Sequence, residues 1–163
     1  MQIVGYILII ALVVALMTFM FTSAYNKLLR NKNHANETWL NIVKEINLRY
    51  NLYTQYSEAV KTTIDAATIN TFNTSIASYR NKVSIDDIIN NYYETDNICK
   101  AILGVISTPE WLQVFNDSFN RIEALRKDYN DTILKINNLV KMFPTSLVAK
   151  MAGFGAWPFF RGI

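Results

Sequence analysis

Residues Ile3 to Ala24 read IVGYILIIALVVALMTFMFTSA, an apolar run without a charged side chain. At 1.5 Å per residue, a helix of that length spans about 33 Å, close to a hydrocarbon core of about 30 Å. The pattern then turns amphipathic without a break. Trp39, Ile42, Val43, Ile46, Tyr50, Tyr53, Ser57, Val60 and Ile64 recur at steps of three and four, while Asn41, Lys44, Glu45 and Asn47 fill the other face. One continuous helix is therefore predicted from the apolar run to about Ile64.

The polar stretch 61–71, rich in Thr and Ala, predicts a bend, followed by a weaker helix over about 68–82 with Phe72, Ile76 and Tyr79 on one face. Ser84-Ile85-Asp86-Asp87 reads as a capping box opening a third helix over about 85–106. Its apolar positions are Ile85, Ile88, Ile89, Tyr92, Ile98, Ile102 and Val105. Ser107-Thr108-Pro109-Glu110 then supplies a hydroxyl cap and a proline in the first turn. A long helix over about 109–142 should follow, with a seam of Trp111 or Leu112, Phe115, Phe119, Ile122, Leu125, Tyr129, Ile133, Ile136, Val140 and Phe143. Pro144 ends it, and the tail to Ile163 is apolar and aromatic. The expected fold is all-α: an N-terminal transmembrane helix continuous with an antiparallel four-helix bundle. Its parts are an anchor at 1–24, a bundle at 25–145 and a membrane-proximal tail at 146–163.

A cleaved leader is the alternative to a retained anchor, since Thr22-Ser23-Ala24 is a small-residue site. No Lys or Arg precedes the run, however, and it is longer than the apolar core of a leader, so a retained anchor is expected. Lys27, Arg30 and Lys32 follow the span, with no acid before Glu37. By the bias of basic residues toward the inner side, Met1 faces outward and the bundle is cytoplasmic, at the cell (inner) membrane. Residues 25–50 carry five bases against two acids, residues 85–131 nine acids against four bases, and residues 132–163 four bases and no acid. Both ends expected near the bilayer are thus basic, which favours a fourth helix returning toward it.

Composition narrows the chemistry. Pro and Gly are scarce, and neither occurs between Tyr6 and Gly104, as long helices require. The one cysteine, Cys99, forbids an intrachain disulfide, and with the one histidine, His34, it cannot build an ordinary Cys/His zinc site. His34 in Asn33-His34-Ala35-Asn36 reads as solvated, and Cys99 as a small buried hydrophobe. Asp86 and Asp87 suit the start of a helix, and Asp128 and Asp131 a solvated face or a contact. No Glu-x-x-His pair or Gly-rich phosphate loop occurs, and a net charge of +3 with its bases near the span argues against nucleic acid. No catalytic, cofactor or metal residues are assigned.

Several stretches resemble the LemA family. Tyr25-Asn26-Lys27-Leu28, Trp39 and Arg49-Tyr50-Asn51-Leu52 are similar to the first half of its pattern. Arg126-Lys127-Asp128-Tyr129-Asn130-Asp131, Asn137, Phe143-Pro144-Thr145-Ser146-Leu147 and Gly153-Phe154 are similar to the second half. Departures are Thr54 and Gln55 where the family has a proline, a poorly matched middle over 61–106, and the ending Ala156-Trp157-Pro158-Phe159-Phe160. The resemblance implies a membrane helix with a cytoplasmic four-helix bundle and no settled biochemical activity.

The expected function is that of a non-enzymatic membrane-anchored scaffold acting by association, with the lipid bilayer and a homo-oligomer as partners. The alternative is a regulatory adaptor binding a separate membrane enzyme or signalling complex; an enzyme of unfamiliar type is the third reading. Tyr129, Asn130, Phe143, Pro144, Phe154, Trp157, Phe159 and Phe160 are the candidate interface residues, with Lys27, Arg30 and Lys32 as the membrane-flanking bases. For the aromatic tail two readings stand: docking on the membrane interface or a neighbouring subunit, or folding back as core.

Overall fold

The computed structural model describes residues 2–82, 84–105 and 108–161, of which Gln2 is described in its backbone alone. They form five helices and, among the described residues, no strand: α1 Gln2–Val60, α2 Ala66–Tyr79, α3 Ile85–Val105, α4 Pro109–Leu139 and α5 Thr145–Met151. α1 is one unbroken helix, as the absence of Gly and Pro after Gly5 predicts. It is the one helix among the described residues long and apolar enough to cross a membrane. Residues 3–23 are exposed throughout, and Ala24 is the first buried residue.

Local chemistry sets most boundaries. α1 closes in a turn in which the Thr63 N–H donates to the Val60 carbonyl at 2.9 Å. Asp65 then caps α2, its carboxylate accepting from the Thr68 N–H at 2.9 Å. Ser84 accepts from the Asp87 N–H at 3.0 Å, the expected cap of α3, and Asp86 and Asp87 occupy its first turn. α4 starts at Pro109; the expected cap residue Ser107 lies outside the described residues. α4 ends at Leu139, short of the expected 142. The Asn138 carbonyl takes the N–H groups of both Lys141 and Met142 at 3.0 Å, and the residue before a proline is biased out of helical backbone. Phe143 is therefore 80% exposed instead of lying on the α4 seam.

The chain divides into two compact units, each with segments of α1 and α4: Met1–Glu37 with Tyr129–Phe159, and Thr38–Asp128 with Phe160–Ile163. In the first, Ala24, Leu28, Leu139, Val148 and Ala149 form a small core, with Val140 and Phe154 against it. The tail thus contains a helix that the sequence reading left out, and α5 turns Val148 and Ala149 inward. Gly153, at φ 71°, ends α5 by letting the Phe154 N–H return to the Ala149 carbonyl at 2.9 Å. The Phe154 ring then meets Tyr25 edge-on at 6.0 Å and lies under the Lys32 ammonium at 5.5 Å.

In the second unit, α1 and α4 run antiparallel. Thr38 donates to Asp128 at 3.0 Å, Glu45 accepts from Arg121 at 3.0 Å, and the Tyr56 ring meets Trp111 at 5.2 Å, so numbering rises on one helix as it falls on the other. α1 and α2 also run antiparallel, through Tyr50 stacked on Tyr79 at 4.0 Å and Ser57 donating to Asn73 at 2.6 Å. α2 and α3 join through Ser75 with Thr95 and Ser78 with Asn91, each at 2.6 Å. The buried aromatic centre is Tyr53, Tyr56, Phe72, Tyr92 and Phe115.

Gly153→Ala should cost about 1 kcal/mol of stability through backbone conformation alone, because a Cβ there meets nothing within 4 Å. Gly155→Ala, also without a neighbour within 4 Å but not at positive φ, should be near neutral. Denaturant unfolding of the two variants side by side checks the difference.

Candidate functional site: a buried arginine–aspartate pair

Steps of four and three along α1 run Ile42, Ile46, Arg49, Tyr53, Tyr56, Val60, and along α3 Ile89, Tyr92, Asp96, Cys99, Leu103. Each series is buried and carries one charged residue, Arg49 at 2% exposure and Asp96 at 1%. The arginine Nε donates to Asp96 Oδ1 at 3.0 Å and to the Tyr53 hydroxyl at 2.7 Å, and Nη2 pairs with the same Oδ1. The Tyr53 hydroxyl in turn donates a hydrogen bond to Asp96 Oδ1 at 2.7 Å. Nη1 donates to the Phe115 carbonyl of α4 at 2.8 Å. One guanidinium thereby ties α1 to α3 and α4.

Aromatic rings surround the pair. The guanidinium carbon lies 5.3 Å from the Tyr53 ring centre, 5.4 Å from Phe115 and 6.0 Å from Phe119. Asp96 Oδ2 is held by Lys100 at 2.8 Å, and that ammonium sits 4.9 Å over the Phe119 ring. Lys100 is 57% exposed and stands at the mouth of a cleft of about 470 Å³, with Leu103, Leu112, Phe115, Asn116 and Phe119 among its walls. The hydroxyls of Tyr92 and Ser118 are also buried, without a hydrogen-bond partner among the described residues.

The electrostatics hold both members of the pair in their charged forms. Burial alone would penalise the Asp96 carboxylate, but the Arg49 charge and the bonds from Lys100, Arg49 and Tyr53 outweigh it and hold its pKa below the ordinary value. Burial likewise opposes the charge on Arg49, and Tyr53 and Asp96 overcome it. Burial pushes the Cys99 thiol up to about 12, so it is protonated and unreactive at neutral pH. Among the described residues, no group of three or more His, Cys, Asp or Glu could hold a metal ion.

The residues singled out in the sequence are dispersed. Tyr129 is buried and donates to the Pro158 carbonyl at 3.4 Å, and Asn130 beside it is half-buried. Trp157 is clasped through its backbone: its N–H donates to Asn137 Oδ1 at 2.8 Å, and its carbonyl accepts from Asn137 Nδ2 at 3.0 Å. Phe160 is fully buried, against Trp39 at 6.3 Å and Tyr93 at 6.1 Å. Phe154 packs as described, Pro144 and Phe159 are half-buried, and Phe143 is open. Tyr129 and Phe160 therefore serve packing within the chain and present no open surface, while the tail is folded onto its own chain at several points. Lys27 and Arg30 are exposed, and Lys32 is half-buried.

The described residues are thus all-helical outside turns and loops, with one helix among them long and apolar enough to cross a membrane and a buried Arg49–Asp96 pair that joins helices. Residues 112–162 match the model of the LemA family, and this match supports the assignment of the chain to that family. It covers Tyr129, Asn137, Phe143-Pro144 and Gly153-Phe154; the similar residues of the first half, Tyr25 to Leu52, lie outside it. Comparison with curated proteins and with solved structures gives no match.

Asp96→Ala or Arg49→Met alone should cost about 3–5 kcal/mol, because each leaves the other charge buried and uncompensated. The double variant Arg49→Met with Asp96→Leu should recover most of that loss, as double-mutant unfolding would record. The lowered Asp96 pKa means that its contribution is fully present above an unfolded value of about 4 and is lost as pH falls through the folded value. Asp96→Asn should flatten the acid limb of thermal stability below about pH 5.

Proposed function

We propose that this chain is a membrane-anchored, non-enzymatic helical scaffold that acts by protein–protein association, first with further copies of itself. Ile3–Ala24 is the anchor, and residues 38–128 form an antiparallel four-helix bundle of α2, α3 and segments of α1 and α4. Lys27, Arg30 and Lys32 orient it, with the N-terminus outside and the bundle on the cytoplasmic side of the cell membrane.

The observation that carries the reading is apolar exposure. Residues 3–23 are exposed all along α1, which lipid would cover. In the same unit Leu147 and Met151, one turn apart on α5, are open apolar side chains at 54% and 69% exposure, and Phe143, in the turn that precedes α5, is 80% exposed. Val148 and Ala149 pack beside Ala24 and Leu28, so α5 lies at the end of the anchor. Open apolar side chains of this kind are what a neighbouring copy would bury. The buried charged pair supports the non-enzymatic part, because Arg49, Asp96 and Tyr53 are spent on one another and the exposed Lys100 is paired with Asp96.

Size measurement after mild solubilisation tests the reading. The wild-type chain should run as one homogeneous oligomer. Phe143→Ser combined with Met151→Ser should shift it at least about tenfold toward monomer while leaving it membrane-bound. A monomeric chain that co-purifies with a different membrane protein would instead support the adaptor.

A further inference from the structure

We infer that the groove between α1 and α4 in the first unit is a binding site for the phosphate of an anionic phospholipid headgroup. The groove, of about 540 Å³, is lined by Lys27, Arg30 and Asn31 from α1 and by Lys135, Asn138 and Leu139 from α4. Each helix supplies its residues at i, i+3 and i+4, the spacing of one helical face. Three cations line it beside Asn138 and Asn31, the Asn31 amide donating to the Lys27 carbonyl at 2.7 Å, and no carboxylate is among the lining residues. Lys32, by contrast, is drawn away to the Phe154 ring. The site is therefore built by two helices distant in sequence and is more than a run of basic residues after a span.

The source of the phosphate follows from what adjoins the groove. A second hollow of about 480 Å³ runs along α1 past Phe19, Thr22, Ser23 and Asn26 and shares Lys27 and Arg30 with the first. An acyl chain lying beside Phe19 would leave its headgroup at the cations. Lys27 and Arg30 follow Phe21, the last large apolar residue of the run, by about 9 and 13 Å of helix. Helical side chains lean toward the N-terminus, so their charged ends reach back toward a headgroup layer about 5–7 Å deep. Fork-like recognition by Arg30, with point charges from Lys27 and Lys135, suits a phosphodiester.

The inference rests on the anchor reading, and its test separates the two. The full chain is reconstituted in vesicles of phosphatidylcholine alone and of phosphatidylcholine with phosphatidylglycerol. It is then extracted in mild detergent, and the retained phospholipid is measured by native mass spectrometry. Phosphatidylglycerol should be enriched about tenfold over its share, and Lys135→Gln and Arg30→Gln should each remove most of that enrichment without releasing the chain from vesicles. Lys141→Gln, an equal charge change outside the groove, should leave it intact. Equal loss with Lys141→Gln, or displacement of the lipid by inorganic phosphate, overturns the site. A chain that floats with both vesicle types but retains no phosphatidylglycerol overturns the site alone. A chain that floats with neither overturns the anchor and the site together.

Discussion

Within residues 38–128, the guanidinium of Arg49 is the point at which three helices meet. It takes a carboxylate from α3, a backbone carbonyl from α4 and a hydroxyl from its own helix, one turn on. Desolvating both charges consumes much of what their attraction returns, so the pair adds little net stability compared with apolar residues of the same volume. What it adds is definition. A slide of α3 by one turn would leave Asp96 opposite rings and Arg49 without its acceptor, an error of several kcal/mol that apolar contacts alone would not impose. The aromatic shell of Tyr53, Phe115 and Phe119 matters for the same reason, since it keeps water from relieving a mismatched charge.

A second polar layer repeats the logic with neutral groups. Tyr50 donates to Asn91 at 2.6 Å, and Asn91 donates to Ser78 and to the Ser75 carbonyl. Thr95 closes the set through Ser75. α2 is short and has only Ile69 and Phe72 as large buried side chains. These bonds therefore do for α2 what an apolar seam does for the longer helices.

Much of the fold was legible because its longest elements follow strict periods. The apolar run, the unbroken course of α1, the Ser84 cap and the start at Pro109 all rest on local chemistry, which spacing reveals. The buried pair was not read, although its signal was present. Arg49 sits on the series through Ile46 and Tyr53, and Asp96 on that through Tyr92 and Cys99, but a charged side chain on such a series reads as the edge of the polar face. The same habit favoured Phe119 over Ser118, whereas the smaller residue is the one fully buried. α5 was missed because seven residues carry too few turns for a period to show. The convergence of Lys135 and Asn138 on Lys27 and Arg30 depends on which helices are neighbours, and no local spacing encodes that.

Cys99 is the one cysteine of the chain, and it is closed off within α3 with its proton held tightly. Maleimides and other thiol reagents, which need an accessible thiolate, should therefore find the native molecule blank. A thiol introduced anywhere on the surface would be the single reactive group, so spin labels, fluorophores or cross-linkers could report on each helix without first removing a residue from the core.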